Sequence, residues 1–117
     1  MLKKTYAVCR LNKATLPDGE FVSLTMSGGE ISLVCEVTKM PCGCRAETGW
    51  RALRVKGPLD FSLTGILADL SGVLARAGVS IFALSTYDTD YIFVKQVRLE
   101  DAQNALTTHG HTVIENA

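Results

Sequence analysis

The sequence predicts an α+β protein whose second half follows the ferredoxin-like order β-α-β-β-α-β and whose first half consists mainly of strands. Two stretches in the second half carry apolar residues at helical spacing, and short apolar runs of strand length flank them. The first half alternates similar runs with segments rich in glycine and proline. We therefore expect two parts, residues 1–49 and residues 50–117.

Three strands are predicted in the first part, at residues 6–11, 21–26 and 31–37. The last two are separated by Ser27-Gly28-Gly29-Glu30, and because glycine accepts a positive φ angle, we expect them to form a hairpin. Residues 12–20 are too short and too rich in turn-forming residues to form a helix. Residues 38–49 are predicted to be a connection.

Two amphipathic helices are predicted in the second part. The first, Thr64–Ala77, has a single apolar face and should stop at Gly78, and its apolar positions are Ile66, Leu67, Leu70, Val73, Leu74 and Ala77. The second begins near Leu99 and should stop at Gly110. Strands are expected at residues 50–56, 79–84, 91–94 and 111–114.

This order brings two distant segments together. Right-handed connection makes the strands on either side of the first helix parallel, so that their carboxyl ends lie at the same edge of the sheet. We therefore expect the loop Gly57–Leu63 to lie beside the turn Ser85–Asp90. The hairpin Val79–Val94 is apolar at both alternating sets of positions, which predicts that its second face is covered, either by the first half or by a second copy.

Charge and hydropathy exclude several classes of protein. Twelve basic residues balance twelve acidic ones and are scattered, with one local group at Arg51–Lys56, so no nucleic-acid interface is expected. No apolar run reaches the length of about 18 residues that a membrane span requires. The start of the chain lacks the apolar stretch of a signal peptide. We therefore expect a cytoplasmic protein without membrane contact.

The four cysteines are expected to be free thiols, because the chain can build an apolar core without disulfides. Cys42-Gly43-Cys44 is the alternative, since two thiolates at this spacing can share a soft metal with Cys9 or Cys35. No second closely spaced pair accompanies it. His109 and His111 fit a helix end better than a metal site. We therefore predict neither a metal nor another cofactor.

Two runs of residues in the second half carry a resemblance to a known family. They are Gly57-Pro58-Leu59-Asp60-Phe61-Ser62-Leu63-Thr64-Gly65-Ile66-Leu67 and Ile81-Phe82-Ala83-Leu84-Ser85-Thr86-Tyr87-Asp88-Thr89-Asp90-Tyr91. Together they resemble the ACT domain. They look most similar to the aspartokinase-type subfamily of small stand-alone bacterial proteins, and more distantly to the ACT repeats of cytosolic arginine sensors. The resemblance implies a complete ACT unit at residues 50–117 and a shortened, degenerate one at residues 1–49. It also implies a regulatory, non-catalytic role, with a ligand at an interface between ACT units and homodimerisation through sheets or helices.

An amino acid needs donors for its carboxylate and acceptors for its ammonium group. The first turn of the helix at Thr64 offers unpaired N–H groups, Gly65 permits close approach, and Asp90 is a partner for a cation. The resemblance points to Phe61, Gly65, Ile66, Thr86 and Asp90. With the hydroxyl groups of the loop and the turn, the candidate ligand-binding residues are Phe61, Ser62, Thr64, Gly65, Ile66, Ser85, Thr86 and Asp90.

A purely structural interpretation of the same residues stays open. Asp88 and Asp90 are good turn formers, and Ser62 or Thr64 can simply cap a helix. The chain would then be a structural or protein-interaction module that binds no ligand. An enzyme is not expected, because the sequence contains no legible catalytic arrangement. An RNA-recognition motif is not expected either, since residues 80–94 contain two aspartates and no basic residue.

Overall fold

Six strands and two helices make up the regular structure of the computed structural model, which describes residues 1–56 and 65–114. The strands are β1 (Thr5–Leu11), β2 (Ser23–Ser27), β3 (Glu30–Glu36), β4 (Arg45–Arg54), β5 (Ile81–Ser85) and β6 (Asp90–Lys95). The helices are α1 (Ile66–Arg76) and α2 (Leu99–Thr108), and short 3₁₀ turns cover Val37–Lys39 and Gln96–Arg98. The predicted mixture of helices and strands is confirmed. Neither described helix is long and apolar enough to cross a membrane.

Two compact units divide the chain. The first comprises Lys4–Trp50, and the second comprises Met1–Lys3 together with the described residues from Arg51 onwards. The strand order is β2-β3-β1-β4 for the strands of the first unit and β4-β6-β5 for those of the second. Strand β4 contributes residues to both units because the division falls between Trp50 and Arg51.

The first unit contains the predicted hairpin. Strands β2 and β3 pair antiparallel with Ser27 opposite Glu30, and the two-residue turn between them has φ angles of 52° at Gly28 and 85° at Gly29. Positive φ at both turn positions matches the right-handed twist of the strands, which is why the Gly-Gly pair is found there. Strand β1 pairs antiparallel with β3. The core of this unit consists of Ala7, Cys9, Leu11, Leu33 and Cys35.

Residues 12–22 contain no helix, as expected, but a hydrogen bond and a ring contact hold them to the rest of the first unit. The backbone N–H of Glu20 donates to the carboxylate of Glu36 over 2.8 Å, and Phe21 is buried edge-on against Tyr6 with ring centroids 6.2 Å apart. Strand β4 corrects the sequence analysis, because it begins at Arg45 and not at Trp50. Residues 45–48 are exposed and polar or small, so no apolar pattern revealed that part of the strand.

In the second unit, both helices pack on the sheet. The buried core residues are Leu53, Val73, Leu74, Val79, Ile92, Val94, Ala102 and Leu106, and Leu67, Leu70 and Leu99 pack against them. Helix α1 therefore presents the predicted apolar face, except that Ala77 is exposed at its end. Gly78 stops the helix as expected: it has a φ angle of 75°, and Val79 N–H donates to Leu74 O over 3.0 Å. Gly110 ends α2 in the same way, with a φ angle of 89°.

The predicted last strand at residues 111–114 is wrong, and the full ferredoxin-like order is not confirmed. The first residues of the chain lie beside β4 instead: Leu2 N–H donates to Ala52 O over 2.9 Å. The amino group of Met1 in turn donates to Ile114 O over 2.8 Å. Residues 111–114 have the apolar composition of a strand. Whether such a run pairs with a sheet depends on residues far away in sequence, so its composition alone could not decide it.

The hairpin β5–β6 has apolar residues on both faces, as the sequence indicated. Ile92 and Val94 belong to the core with the helices, whereas Phe93 points to the other face and is fully buried. Phe82 stacks on Phe93 with ring centroids 4.5 Å apart and an interplanar angle of 3°. Phe93 has no exposed surface in the single chain.

Candidate functional site

The turn between β5 and β6 is hydrogen-bonded to the end of β4. Val55, the residue after the strand, donates its N–H to Asp90 O over 2.9 Å, and its carbonyl accepts the hydroxyl of Thr89. Thr89 is only 8% exposed, although residues 85–88 of the turn are exposed. The turn is therefore held beside the end of β4. The prediction that the loop Gly57–Leu63 lies beside this turn falls outside the described residues.

Thr86 closes the turn with its side chain. Its N–H donates to Thr89 O over 2.8 Å, its hydroxyl contacts the same carbonyl at 3.1 Å, and Thr89 N–H donates back to that hydroxyl over 3.2 Å. The side chain thus replaces part of the backbone pairing of an ordinary hairpin. Tyr87 and Asp88 form the exposed tip, and the Tyr87 side chain is 82% exposed.

Ser85 and Asp90 face each other across the last pair of the hairpin. The serine hydroxyl donates to the Asp90 carboxylate over 2.5 Å. An ionised carboxylate has about four acceptor sites, so this bond uses only part of its capacity. Asp90 is half-buried and Ser85 is exposed, which leaves the pair at the surface of the turn. The pair offers acceptors suited to an ammonium group or another cation.

Gly65 begins helix α1. It has φ 90° and ψ −15°, it is exposed, and no side chain caps the helix within the described structure. Its carbonyl accepts the first helical hydrogen bond from Asp69 N–H over 2.8 Å. The first N–H groups of α1 carry the positive end of the helix dipole, which favours an anion. Asp69 in the same turn is paired with His111, with Oδ2 and Nε2 2.8 Å apart.

The predicted site residues therefore have three outcomes. Phe61, Ser62 and Thr64 lie outside the described residues. Ser85, Thr86 and Asp90 come together in one hydrogen-bonded turn, and Gly65 and Ile66 stand together at the start of α1. Two participants were missed: the backbone of Val55 and the buried hydroxyl of Thr89. The Ser-Thr-Tyr-Asp-Thr-Asp run indicated a polar turn but not which hydroxyl points inward.

The possible metal ligands, His109 and the basic residues 51–56 were also candidates for a functional site. Within residues 1–56 and 65–114, no cluster of three or more His, Cys, Asp or Glu residues is arranged to hold a metal ion. His109 ends α2 with its Nδ1 3.0 Å from Ala105 O, a helix-end position as expected. Of the basic group Arg51–Lys56, Arg54 and Lys56 are exposed, whereas Arg51 is half-buried and donates to Leu2 O over 3.1 Å.

Comparison with known proteins defines the class. An α+β unit with two helices on one sheet and a polar turn at its edge is matched by a family model described as ACT domain, over residues 45–108. That range is more than half of the chain. The chain therefore belongs to the ACT domain family, and the resemblance seen in the sequence is confirmed.

Two solved structures share the fold. Protein Atu0741 from Agobacterium tumefaciens superposes with a TM-score of 0.89 at 32% identity, over 97% of this chain and 90% of that one. VC0802 from Vibrio cholerae, described as a protein of unknown function and possible transport protein, superposes with a TM-score of 0.74 at 22% identity. That match covers 92% of this chain and 84% of VC0802 and supports the fold alone.

A curated relative matches a shorter region. The human cytosolic arginine sensor for mTORC1 subunit 1 is 40% identical over 48 residues, and the bovine protein matches to the same extent. The matched region is 40% of this chain but only 15% of the sensor. This chain thus corresponds to a small part of the sensor's length.

Proposed function

We propose that this protein is a regulatory module that binds a free amino acid at the edge formed by the end of β4, the turn at residues 85–90 and the start of α1. Membership of the ACT family supports a regulatory, ligand-binding role in general. The name of the curated relative, an arginine sensor, supports an amino acid as the ligand. The proposal places no catalytic step in the protein.

The observation that carries the proposal is the turn at residues 85–90, fastened through Thr89 to Val55. It holds the Asp90 carboxylate and the Ser85 hydroxyl in fixed positions at the surface. Fixed polar groups lose little conformational freedom when a ligand binds, which favours affinity. In our proposal Asp90 receives the ammonium group or a cationic side chain, and the N–H groups of α1 after Gly65 receive the carboxylate. The proposed site also includes Phe61, Ser62, Ile66, Thr64 and Thr86.

Melting the full chain in the presence of each of the twenty amino acids tests the proposal. A ligand that binds only the native state raises the free energy of unfolding by about 2.7 kcal/mol at about 100 times its Kd. We expect at least one amino acid to raise the melting temperature. If none does at millimolar concentration, the proposal is wrong.

Three variants locate the site. Asp90→Ala should abolish the shift because it removes the carboxylate. Ser85→Ala removes the same hydrogen bond but keeps the carboxylate, so a weaker shift should remain. Asp88→Ala removes a neighbouring exposed carboxylate at the tip and should leave the shift unchanged. A shift that survives in Asp90→Ala would place the ligand elsewhere.

The alternative function is a protein-interaction module without a small ligand. The hydrogen bonds of the turn favour it, because Ser85, Thr86 and Thr89 all have partners within this part of the chain and are explained as turn formers. In both cases we propose that the module acts in the cytoplasm, through assembly with a second copy or with a partner protein. Sedimentation with and without the amino acid that shifts melting distinguishes ligand-controlled assembly from constitutive assembly.

A further inference from the structure

Three of the four thiols meet in the first unit. Cys9 on β1 and Cys35 on β3 are 1% and 0% exposed, and Cys44 packs against the core cluster that contains them. Both other thiols contribute to raising the pKa of the Cys9 thiol above its usual value. Cys42 is exposed, two residues before Cys44.

Strand register decides which pair can be joined. Cys9 stands opposite Leu33, and Cys35 stands opposite Ala7, so Cys9 and Cys35 are diagonal neighbours on adjacent strands. Diagonal neighbours have Cα atoms about 7 to 8 Å apart, whereas a disulfide requires less than about 7 Å. The ladder of β1 and β3 holds this spacing, and a bond between Cys9 and Cys35 is disfavoured.

Cys44 has more freedom. It lies in the irregular segment just before β4, the strand next to β1 in the sheet. Its thiol donates to Pro41 O over 3.2 Å, a bond within the same segment. A shift of this segment breaks no strand pairing, so Cys44 can approach Cys9 as a disulfide requires.

We propose that Cys9 and Cys44 form a reversible disulfide when the protein meets hydrogen peroxide, and that this thiol cluster is a redox modification site. The Cys44 sulfur attacks one peroxide oxygen; the O–O bond breaks, an S–O bond forms, and water leaves with the thiol proton. The sulfur is oxidised by two electrons to a sulfenic acid and the peroxide is reduced. The Cys9 sulfur then attacks the Cys44 sulfur, the S–O bond breaks, and a second water carries away the Cys9 proton.

Burial assigns these two roles. Cys44 is partly exposed and can meet the peroxide, whereas Cys9 has no access to solvent. Burial, together with the neighbouring Cys44 and Cys35, raises the pKa of the Cys9 thiol to about 12. Cys9 therefore stays protonated at neutral pH and does not react first, because the thiolate is the nucleophile. Its attack on Cys44 should be slow and should accelerate as the pH rises.

The bond would change the stability of the first unit. It would close the chain between Cys9 and Cys44, a segment that includes β2 and β3. A cross-link over a long segment restricts the unfolded chain and thereby stabilises the fold. We expect oxidation to raise the melting temperature by about 5 °C or more and a thiol reductant to reverse the change.

The test treats the reduced full-length protein with hydrogen peroxide, blocks the remaining thiols by alkylation and maps the peptides by mass spectrometry. We expect a peptide pair joined through Cys9 and Cys44, and a whole-protein mass lowered by two hydrogens when it is measured before alkylation. Cys44→Ser should remove the cross-link, and Cys42→Ser, the matched control, should keep it. Circular dichroism checks that each variant is folded before oxidation.

Four results would overturn the proposal. The first is a cross-link between Cys42 and Cys44, and the second is one between Cys9 and Cys35. The third is oxidation of Cys44 to a sulfinic acid while Cys9 remains a free thiol. A cross-link that persists in Cys44→Ser would be equally decisive against it.

Discussion

The hydroxyl of Thr89 donates a hydrogen bond to the backbone carbonyl of Val55. The two residues have different surroundings. Thr89 is buried in a turn that is mostly exposed, and Val55 is half-buried just beyond the end of β4. A second bond, from Val55 N–H to Asp90 O, lies beside it. The pair of bonds positions the turn that carries Ser85 and Asp90.

Replacing Thr89 with valine keeps the shape of the side chain and removes this hydrogen bond. Because the Val55 carbonyl loses its partner in a partly buried place, we expect the free energy of unfolding to fall by about 1 to 2 kcal/mol. Urea denaturation measures the change. Thr25→Val, at an exposed position of β2, is the matched control and should change the free energy of unfolding by less than about 0.5 kcal/mol. Equal effects of the two variants would contradict the role of Thr89.

Arg98 donates hydrogen bonds to backbone carbonyls just after the end of α1. Its guanidinium donates to Gly78 O over 3.1 Å and to Ala77 O over 3.5 Å, and it pairs with Asp101. A cation at a helix carboxyl end also interacts favourably with the helix dipole. We expect Arg98→Met to lower the free energy of unfolding by about 1 kcal/mol. Arg10→Met removes an exposed arginine from β1 and should have a much smaller effect in the same urea titration.

Two glycines near α1 should respond to alanine in opposite directions. Gly78 has a φ angle of 75°, where a Cβ atom is strained, so Gly78→Ala should cost about 1 to 2 kcal/mol. Gly72 lies inside α1, and an added Cβ would meet only the flexible end of Arg76, at 3.3 Å. Gly72→Ala should therefore stabilise the protein by about 0.5 to 1 kcal/mol. Thermal melting of both variants is the measurement, and shifts of the same sign would refute this explanation.

Alkaline pH should destabilise the first unit through Cys9. Folding raises the pKa of this thiol from 9.0 to about 12, so the unfolded chain loses the proton at lower pH than the folded one. The stability that the protonated thiol contributes is complete below pH 9 and is lost as the pH rises towards 12. Cys9→Ala should show a smaller loss of stability over this interval in urea titrations. Cys42→Ala, at an exposed position, should lose as much as the unmodified protein.

Much of the second unit could be predicted because its signals are local. The apolar face of α1, the glycines that end both helices and the two-residue turn at Gly28-Gly29 depend on neighbouring residues. The family resemblance depended on the same local runs. The polar turn at residues 85–90 could be predicted because its residues are neighbours in sequence.

The remainder depends on partners far away in sequence. The beginning of β4 has exposed polar residues and so shows no apolar pattern, and the expected strand at residues 111–114 lacks a strand partner. In the candidate site, the inward position of Thr89 depends on Val55. In the first unit, the meeting of three thiols depends on the register of β1 against β3, which no spacing of cysteines reveals.

The hydrogen bond from Leu2 to Ala52 makes the second unit discontinuous in sequence. Topologically, residues 4–50 are an insertion between two pieces of one unit, in the manner of a guest domain placed in a host. A fragment that begins at residue 51 would therefore expose the edge of β4 that Leu2 now occupies. A recombinant version of the second unit should retain Met1–Lys3, joined to Arg51 by a short linker in place of the insertion.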